Sequence, residues 1–167
     1  MYRRLSFLLI LLSGLLASAC SLNPNIQDKG AEFLQGVWNE DSVVYQDKLL
    51  QYTQHQFTFT CDSVYARLST TAKVNTVIDS CYQNGHWTEY AKGNYLFRND
   101  TLFISATFTK PDYKQKISGC HRIGLYLKTL IVKRRTADTL YLQSPDQHLP
   151  ITLVLKQKII CNPKPID

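Results

Sequence analysis

Three times, at one interval, this chain repeats a five-residue pattern. Cys61-Asp62-Ser63-Val64-Tyr65, Asn99-Asp100-Thr101-Leu102-Phe103 and Ala137-Asp138-Thr139-Leu140-Tyr141 share x-Asp-Ser/Thr-aliphatic-aromatic, with Asp residues 38 positions apart both times. Asp followed by Ser or Thr is turn chemistry, because the carboxylate bonds nearby backbone amides. Strand-like sequence precedes and follows each copy, so we read three hairpin tips. An interval of 38 residues holds two strands and one further turn. No amphipathic helix of useful length competes with this reading.

The strand signals agree. Gln56-Phe57-Thr58-Phe59-Thr60 alternates strictly, and Ile151 to Leu155 alternates around Thr152. Asn84-Gly85 is the strongest two-residue hairpin signal. The count is eight strands, near 34–44, 49–60, 63–80, 86–98, 101–109, 120–134, 139–143 and 151–160, with the third breaking near Thr70 to Asn75. Ala31 to Gln35 makes one helical turn before them. Eight antiparallel strands in sequential order close into an up-and-down barrel, which removes exposed sheet edges. The fold expected is therefore all-β, an eight-stranded antiparallel barrel with a short N-terminal helical turn. Its core should hold Trp38, Phe57, Phe59, Leu102, Ile104, Phe108, Leu140, Leu142, Leu153 and Leu155.

The first twenty residues read as an address. Arg3 and Arg4 precede an apolar run from Leu5 to Leu16, and small residues lead to Cys20. The run is short of the roughly 20 apolar residues that a membrane span requires, and it ends as a secretory signal does. Ala17-Ser18-Ala19-Cys20 resembles a bacterial lipobox, with Ala17 where Leu is usual. That resemblance implies cleavage before Cys20 and acylation of Cys20. An ordinary signal peptide cut after Ala19 is the competing reading. The domain plan is 1–19 signal peptide, 20–33 tether and helical turn, 34–161 barrel and 162–167 tail.

Loss of Arg3 and Arg4 lowers the net charge from +6 to +4. No basic block exceeds Lys133-Arg134-Arg135, which reads as a solvated strand end, so nucleic acid is a poor partner.

Four cysteines remain after Cys20, an even number in an exported chain, which suggests two disulfides. Zinc is the alternative, but no CxxC or HxxxH pair exists. Barrel parity selects the pairing. Consecutive turns alternate between the two ends, so the tips at Asp62, Asp100 and Asp138 share one end with Cys61 and Cys161. Cys81 and Cys120 then share the other. A bridge needs Cα atoms within about 7 Å, which leaves Cys61–Cys161 and Cys81–Cys120. Cys120-His121 also invites a thiol–imidazole reading, but neighbours on a strand point to opposite faces.

Phe33-Leu34-Gln35-Gly36-Val37-Trp38 resembles the G-x-W start of lipocalins and lipocalin-like barrels. The resemblance implies a helical turn plugging one barrel end and Trp38 on the floor under a cation of the last strand. Lys156 or Lys158 would supply that cation, since the usual Arg is absent. The whole chain, especially Asn84-Gly85-His86-Trp87-Thr88-Glu89-Tyr90-Ala91-Lys92-Gly93, is similar to small lipoproteins of Bacteroidota. Some of those carry a fumarate hydratase label. This sequence has neither the Gly-Ser-Ser loop nor the clustered Cys of such enzymes.

The chemistry-bearing residues are few. His55, His86, His121 and His148 are scattered, and neither a Gly-x-Ser-x-Gly elbow nor a phosphate loop occurs. Glu89 alternates with Trp87, Ala91, Gly93, Tyr95 and Phe97. On an interior face its pKa should rise by desolvation; on an outward face it is solvated. Long connections crowd the end opposite the tips, where recognition usually sits. Tyr113, Lys114, Lys116 and His148 are the binding candidates there. Ordinary solvated loops, with Lys116 opposed by Asp112, are the alternative.

Function divides into three classes. A binding module for a small apolar or amphipathic molecule, or an envelope accessory protein, comes first. A structural partner with a packed barrel comes second, and an enzyme third. No cofactor or metal is implied. The expected protein is a monomer, held by lipid at the periplasmic face of an outer membrane.

Overall fold

Eight strands close in sequential order into an antiparallel barrel, β1 pairing with both β2 and β8. They are β1 (Gly36–Glu40), β2 (Gln51–Thr60), β3 (Ser63–Ala72), β4 (His86–Arg98), β5 (Thr101–Thr109), β6 (Leu125–Arg135), β7 (Thr139–Gln143) and β8 (Pro150–Lys158). This is a computed structural model, and it describes residues 26–165. The barrel occupies residues 28–162. The described ends belong to a separate unit, in which Ile26 bridges Pro165 and the Gln27 N–H donates to the Lys164 carbonyl at 2.8 Å. The signal region and Cys20 lie outside the described residues.

The repeated pattern makes the three tips of one barrel end. Thr60 pairs with Ser63 across the first and Arg98 with Thr101 across the second. Asn99 and Asp100 both take positive φ, 49° and 54°, as a type I′ hairpin requires. At the third tip the Asp138 carboxylate accepts from the hydroxyls of Thr136 and Thr139 at 2.8 and 3.0 Å. Those bonds hold the exposed Asp138 carboxyl below its ordinary pKa.

β1 covers only Gly36–Glu40 rather than 34–44, β3 stops within the break expected near Thr70 to Asn75, and two later features differ from the sequence reading. β3 ends at Ala72, because Asn75 turns the chain: its side chain accepts from the Val77 N–H at 3.0 Å and donates to Asp79 at 2.6 Å. A short helix α1 (Asp79–Tyr82) follows. Asn84-Gly85 forms no tight hairpin; it closes this longer connection, with Gln83, Asn84 and Gly85 all at positive φ. A side chain at Gly85 would meet the Ala72 carbonyl, its Cβ only 2.2 Å away. β6 begins at Leu125 rather than at residue 120, so Cys120 and His121 lie in the preceding loop.

The half of the barrel nearest the tips is packed solid. Trp38, Phe57, Phe59, Leu102, Leu130, Leu140 and Leu153 are at most 1% exposed. Small residues make room for the rings: Ala66 faces Phe57 across β2–β3, and Ala91 faces Phe108 across β4–β5. Nine of the ten expected core residues are buried, and Leu155 packs on them partly exposed.

A 3-10 turn at Glu32–Leu34 closes this end, with Leu34 fully buried. The Trp38 indole N–H donates to the Leu34 carbonyl at 2.7 Å. Gln35 reaches Tyr95 Oη at 2.9 Å, and that oxygen also accepts from the Ala31 N–H at 3.1 Å. Of the two lysines expected from the last strand, only Lys158 reaches the plug. Lys156 pairs with Asp41 at 2.8 Å, and Lys158 reaches the Glu32 carbonyl. A second cation at the plug is Arg135, whose guanidinium lies 4.3 Å from the Phe33 ring centroid. Arg134 covers Tyr141 at 4.2 Å. The basic triplet is an exposed strand end, as expected, with two of its three residues lying on aromatic faces.

Two disulfides join the ends that parity assigned. Cys61–Cys161 has a Cα–Cα distance of 4.8 Å and Cys81–Cys120 of 5.4 Å.

Candidate functional site

Above the packed half, the barrel opens into a cavity of about 650 Å³. Three of the four long connections reach it, through Val43 and Leu49, Arg122, and residues 146–149. The fourth, residues 73–85, contributes no lining but is tied to the Arg122 loop by Cys81–Cys120.

Alternation along the strands carries polar groups into this cup. Glu40 shares the inward face of Trp38, and His55 that of Phe57 and Phe59. Glu40 Oε2 accepts from the His55 backbone N–H at 3.0 Å and lies 2.7 Å from its ring Nδ1. On β6, Tyr126 and Lys128 share the face of Leu130. Register sets Tyr126 opposite Ala106 and Lys128 opposite Ile104, both inside the barrel.

Glu89 faces the interior and is 5% exposed. Arg122 covers it. The Arg122 backbone N–H donates to Glu89 Oε1 at 3.0 Å, its Nε to both oxygens at 3.0 and 3.1 Å, and its Nη2 to Oε2 at 2.6 Å. Burial raises the Glu89 pKa, but the hydrogen bonds and charge of Arg122 together outweigh it and hold the carboxyl below its ordinary value. The interior position therefore brings the opposite shift from the one desolvation alone predicts. Arg122 also lies over Phe108, 4.8 Å from its ring centroid.

His121 stacks on Trp87 with centroids 4.7 Å apart and planes within 6°. Burial lowers its pKa, so the neutral ring is favoured. Burial also raises the Tyr126 phenol and lowers the Lys128 ammonium. The hydroxyls of Tyr126 and Ser144 are buried with no hydrogen-bond partner. Leaving such a group unpaired costs about 1–3 kcal/mol.

The sequence candidates separate. His148 lines the cup, and Glu89 sits behind Arg122. Tyr113, Lys114 and Lys116 do not line it. Tyr113 folds back on the outer wall, edge-on to Tyr65 and Tyr90 at 5.0 and 5.9 Å. Lys114, not Lys116, opposes Asp112, at 3.6 Å. Lys116 caps its own loop through the carbonyls of Cys120 and Arg122. The physical reason is shared: the 110–124 loop turns back on its own carbonyls through Lys110, Tyr113 and Lys116 and packs Tyr113 outward.

Sequence reasoning passed over Glu40, His55, Tyr126 and Lys128: alternation with Trp38 and with Phe57 marks the first two as inward, whereas β6 carries apolar residues on both faces and only the structure selects the face of Leu130. Arg122 carried no such signal, because a loop has no period. Among the described residues, no group of three or more His, Cys, Asp or Glu is placed to hold a metal ion. No family model, curated protein or solved structure matches this chain.

Proposed function

We propose that this protein is a lipid-anchored envelope protein whose barrel binds a small amphipathic molecule in the cup. One observation carries the reading: half the barrel is filled by side chains, while the other half keeps about 650 Å³ of open volume beneath long loops. That volume is in the range of small-molecule sites. Aliphatic and aromatic walls, including Leu68, Phe108 and Ile151, suit an apolar body. Tyr126, Lys128 and His148 suit a polar head. The Cys20 lipobox supports attachment to the envelope, and the disulfides suit an oxidising compartment.

A panel of fatty acids, isoprenoids and small carboxylates, read by native mass spectrometry of the purified protein, tests binding. Retention of one class at micromolar concentration supports the reading; no retention sinks it. Cell fractionation tests the anchor: Cys20→Ala should move the protein to the soluble fraction.

A second reading has an observation of its own. The outer face of β4–β6 exposes Leu96, Phe103, Leu125 and Leu127, each at least 43% accessible. Such a strip suits an accessory protein docking on an envelope partner. The two readings share β6, because Leu125 and Leu127 of the strip also border the cup. The catalytic reading is weaker, since Glu40–His55 and Glu89–Arg122 already satisfy each other.

A further inference from the structure

We propose that the cup selects an anionic head group, a carboxylate in the simplest case, and that Lys128 is the residue that pairs with it. The inference rests on the reading of the cup as a binding site and goes beyond it by fixing the sign of the ligand's charge.

The argument is an inventory of donors and acceptors. Of the three carboxylates near the cup, two are already engaged, and the third, Asp146, is exposed to solvent on the loop at its lining. Glu89 accepts four hydrogen bonds from Arg122, and Glu40 Oε2 is held by the backbone and ring of His55. Apart from the exposed Asp146, only the second oxygen of Glu40 remains as a carboxylate acceptor. The donors are in surplus. Lys128 Nζ has one hydrogen bond, to the neutral Gln147 Oε1 at 3.1 Å. Among the described residues, no carboxylate lies within ion-pair distance of it. Two residues along the same strand face, the Tyr126 hydroxyl has no partner, and neither has the Ser144 hydroxyl. An ammonium without a carboxylate partner and the Tyr126 hydroxyl without an acceptor, both lining the cup, are met by an anion that accepts from both at once.

Placement supports the assignment. Lys128 lies beside Ile104, against the top of the packed core, and both Lys128 and Tyr126 line the cavity. Burial disfavours its ammonium, so an incoming anion gains more there than at a solvated surface lysine. The cup's walls toward the mouth, Leu49 and Leu149 among them, are then left for the apolar tail.

Three probes of one chain length separate the outcomes: oleate, oleyl alcohol and oleylamine, measured by displacement of a fluorescent fatty-chain reporter from the whole protein. Oleate should bind best. Lys128→Met should weaken oleate by about 10- to 100-fold, the scale of a lost charge-assisted hydrogen bond, and leave the alcohol unchanged. Lys128→Arg should restore the preference for the acid, and an unchanged melting temperature in Lys128→Met shows that the barrel holds. If the alcohol or amine binds as well as oleate, or Lys128→Met leaves the ratio intact, the head-group inference is overturned while the cup remains a binding site. If a reporter that binds is displaced by none of the three, the head-group inference again fails alone. If neither reporter nor probe binds, the reading of the cup fails and takes this inference with it.

Discussion

Arg122 closes over Glu89 from a loop 33 residues away, giving it four hydrogen bonds of 2.6 to 3.1 Å. Glu89 is held inside the wall while about half of the Arg122 side chain remains exposed. Arg122→Ala therefore strands a buried carboxylate. The expected loss is about 1–3 kcal/mol, less than for a fully buried pair because water reaches the guanidinium. Adding Glu89→Gln should recover much of it. Urea unfolding of the two single variants and the double variant measures the coupling.

The same pair sets an acid limit. The Glu89 carboxyl is held below its ordinary value of 4.5 in the folded chain. A depressed carboxyl adds stability that is present above its unfolded pKa and is lost as pH falls through the folded value. Wild-type stability should decline below about pH 4.5, and Glu89→Gln should show a shallower decline. Parallel pH profiles would contradict this account.

Gln35 holds both polar groups of the Cys61 backbone, accepting its N–H at 2.6 Å and donating to its carbonyl at 2.8 Å. Gln35→Leu leaves both buried and unpaired beside the Tyr95 hydroxyl. Each such group costs about 1–3 kcal/mol, so thermal melting should show a clear loss while ligand binding in the distant cup is retained.

The two disulfides should separate by function. Removing Cys61–Cys161, with 100 residues between its cysteines, should cost about 5 kcal/mol on the chain-entropy account. Removing Cys81–Cys120, with a separation of 39, should cost about 4 kcal/mol and also loosen the loop that carries Arg122. Only the second change should alter binding. Paired serine variants, compared by denaturant midpoint and by reporter affinity, check it.

Tyr113 belongs to the outer wall with Tyr65 and Tyr90, so Tyr113→Ala should leave ligand affinity within about twofold, as an uninvolved surface site does. His148→Ala, at the cup's edge, should change it. Affinity titrations of both variants against the wild type decide whether the cup or the outer wall holds the ligand.

The sequence by itself determined the strand count, the two ends and the disulfide partners. The reason is parity: a strand alternates faces every residue, and successive antiparallel turns alternate ends, so Asp62, Asp100 and Asp138 had to share one rim. The same alternation marks Glu40 and His55 as inward, since each keeps step with an expected core residue, while the inward face of β6, with Tyr126 and Lys128, was settled only by burial of Leu130. What only the tertiary structure decided is which loop groups meet those strands. Arg122 reaches Glu89 because a disulfide and the Lys116 bonds to the carbonyls of Cys120 and Arg122 shape a loop with no period of its own. The charge of Glu89 then depended on that one contact, where burial and pairing act in opposite directions and pairing wins. The open half of the barrel was equally a tertiary matter: eight strands permit a filled or a hollow interior, and volume is fixed only when every inward side chain is in place.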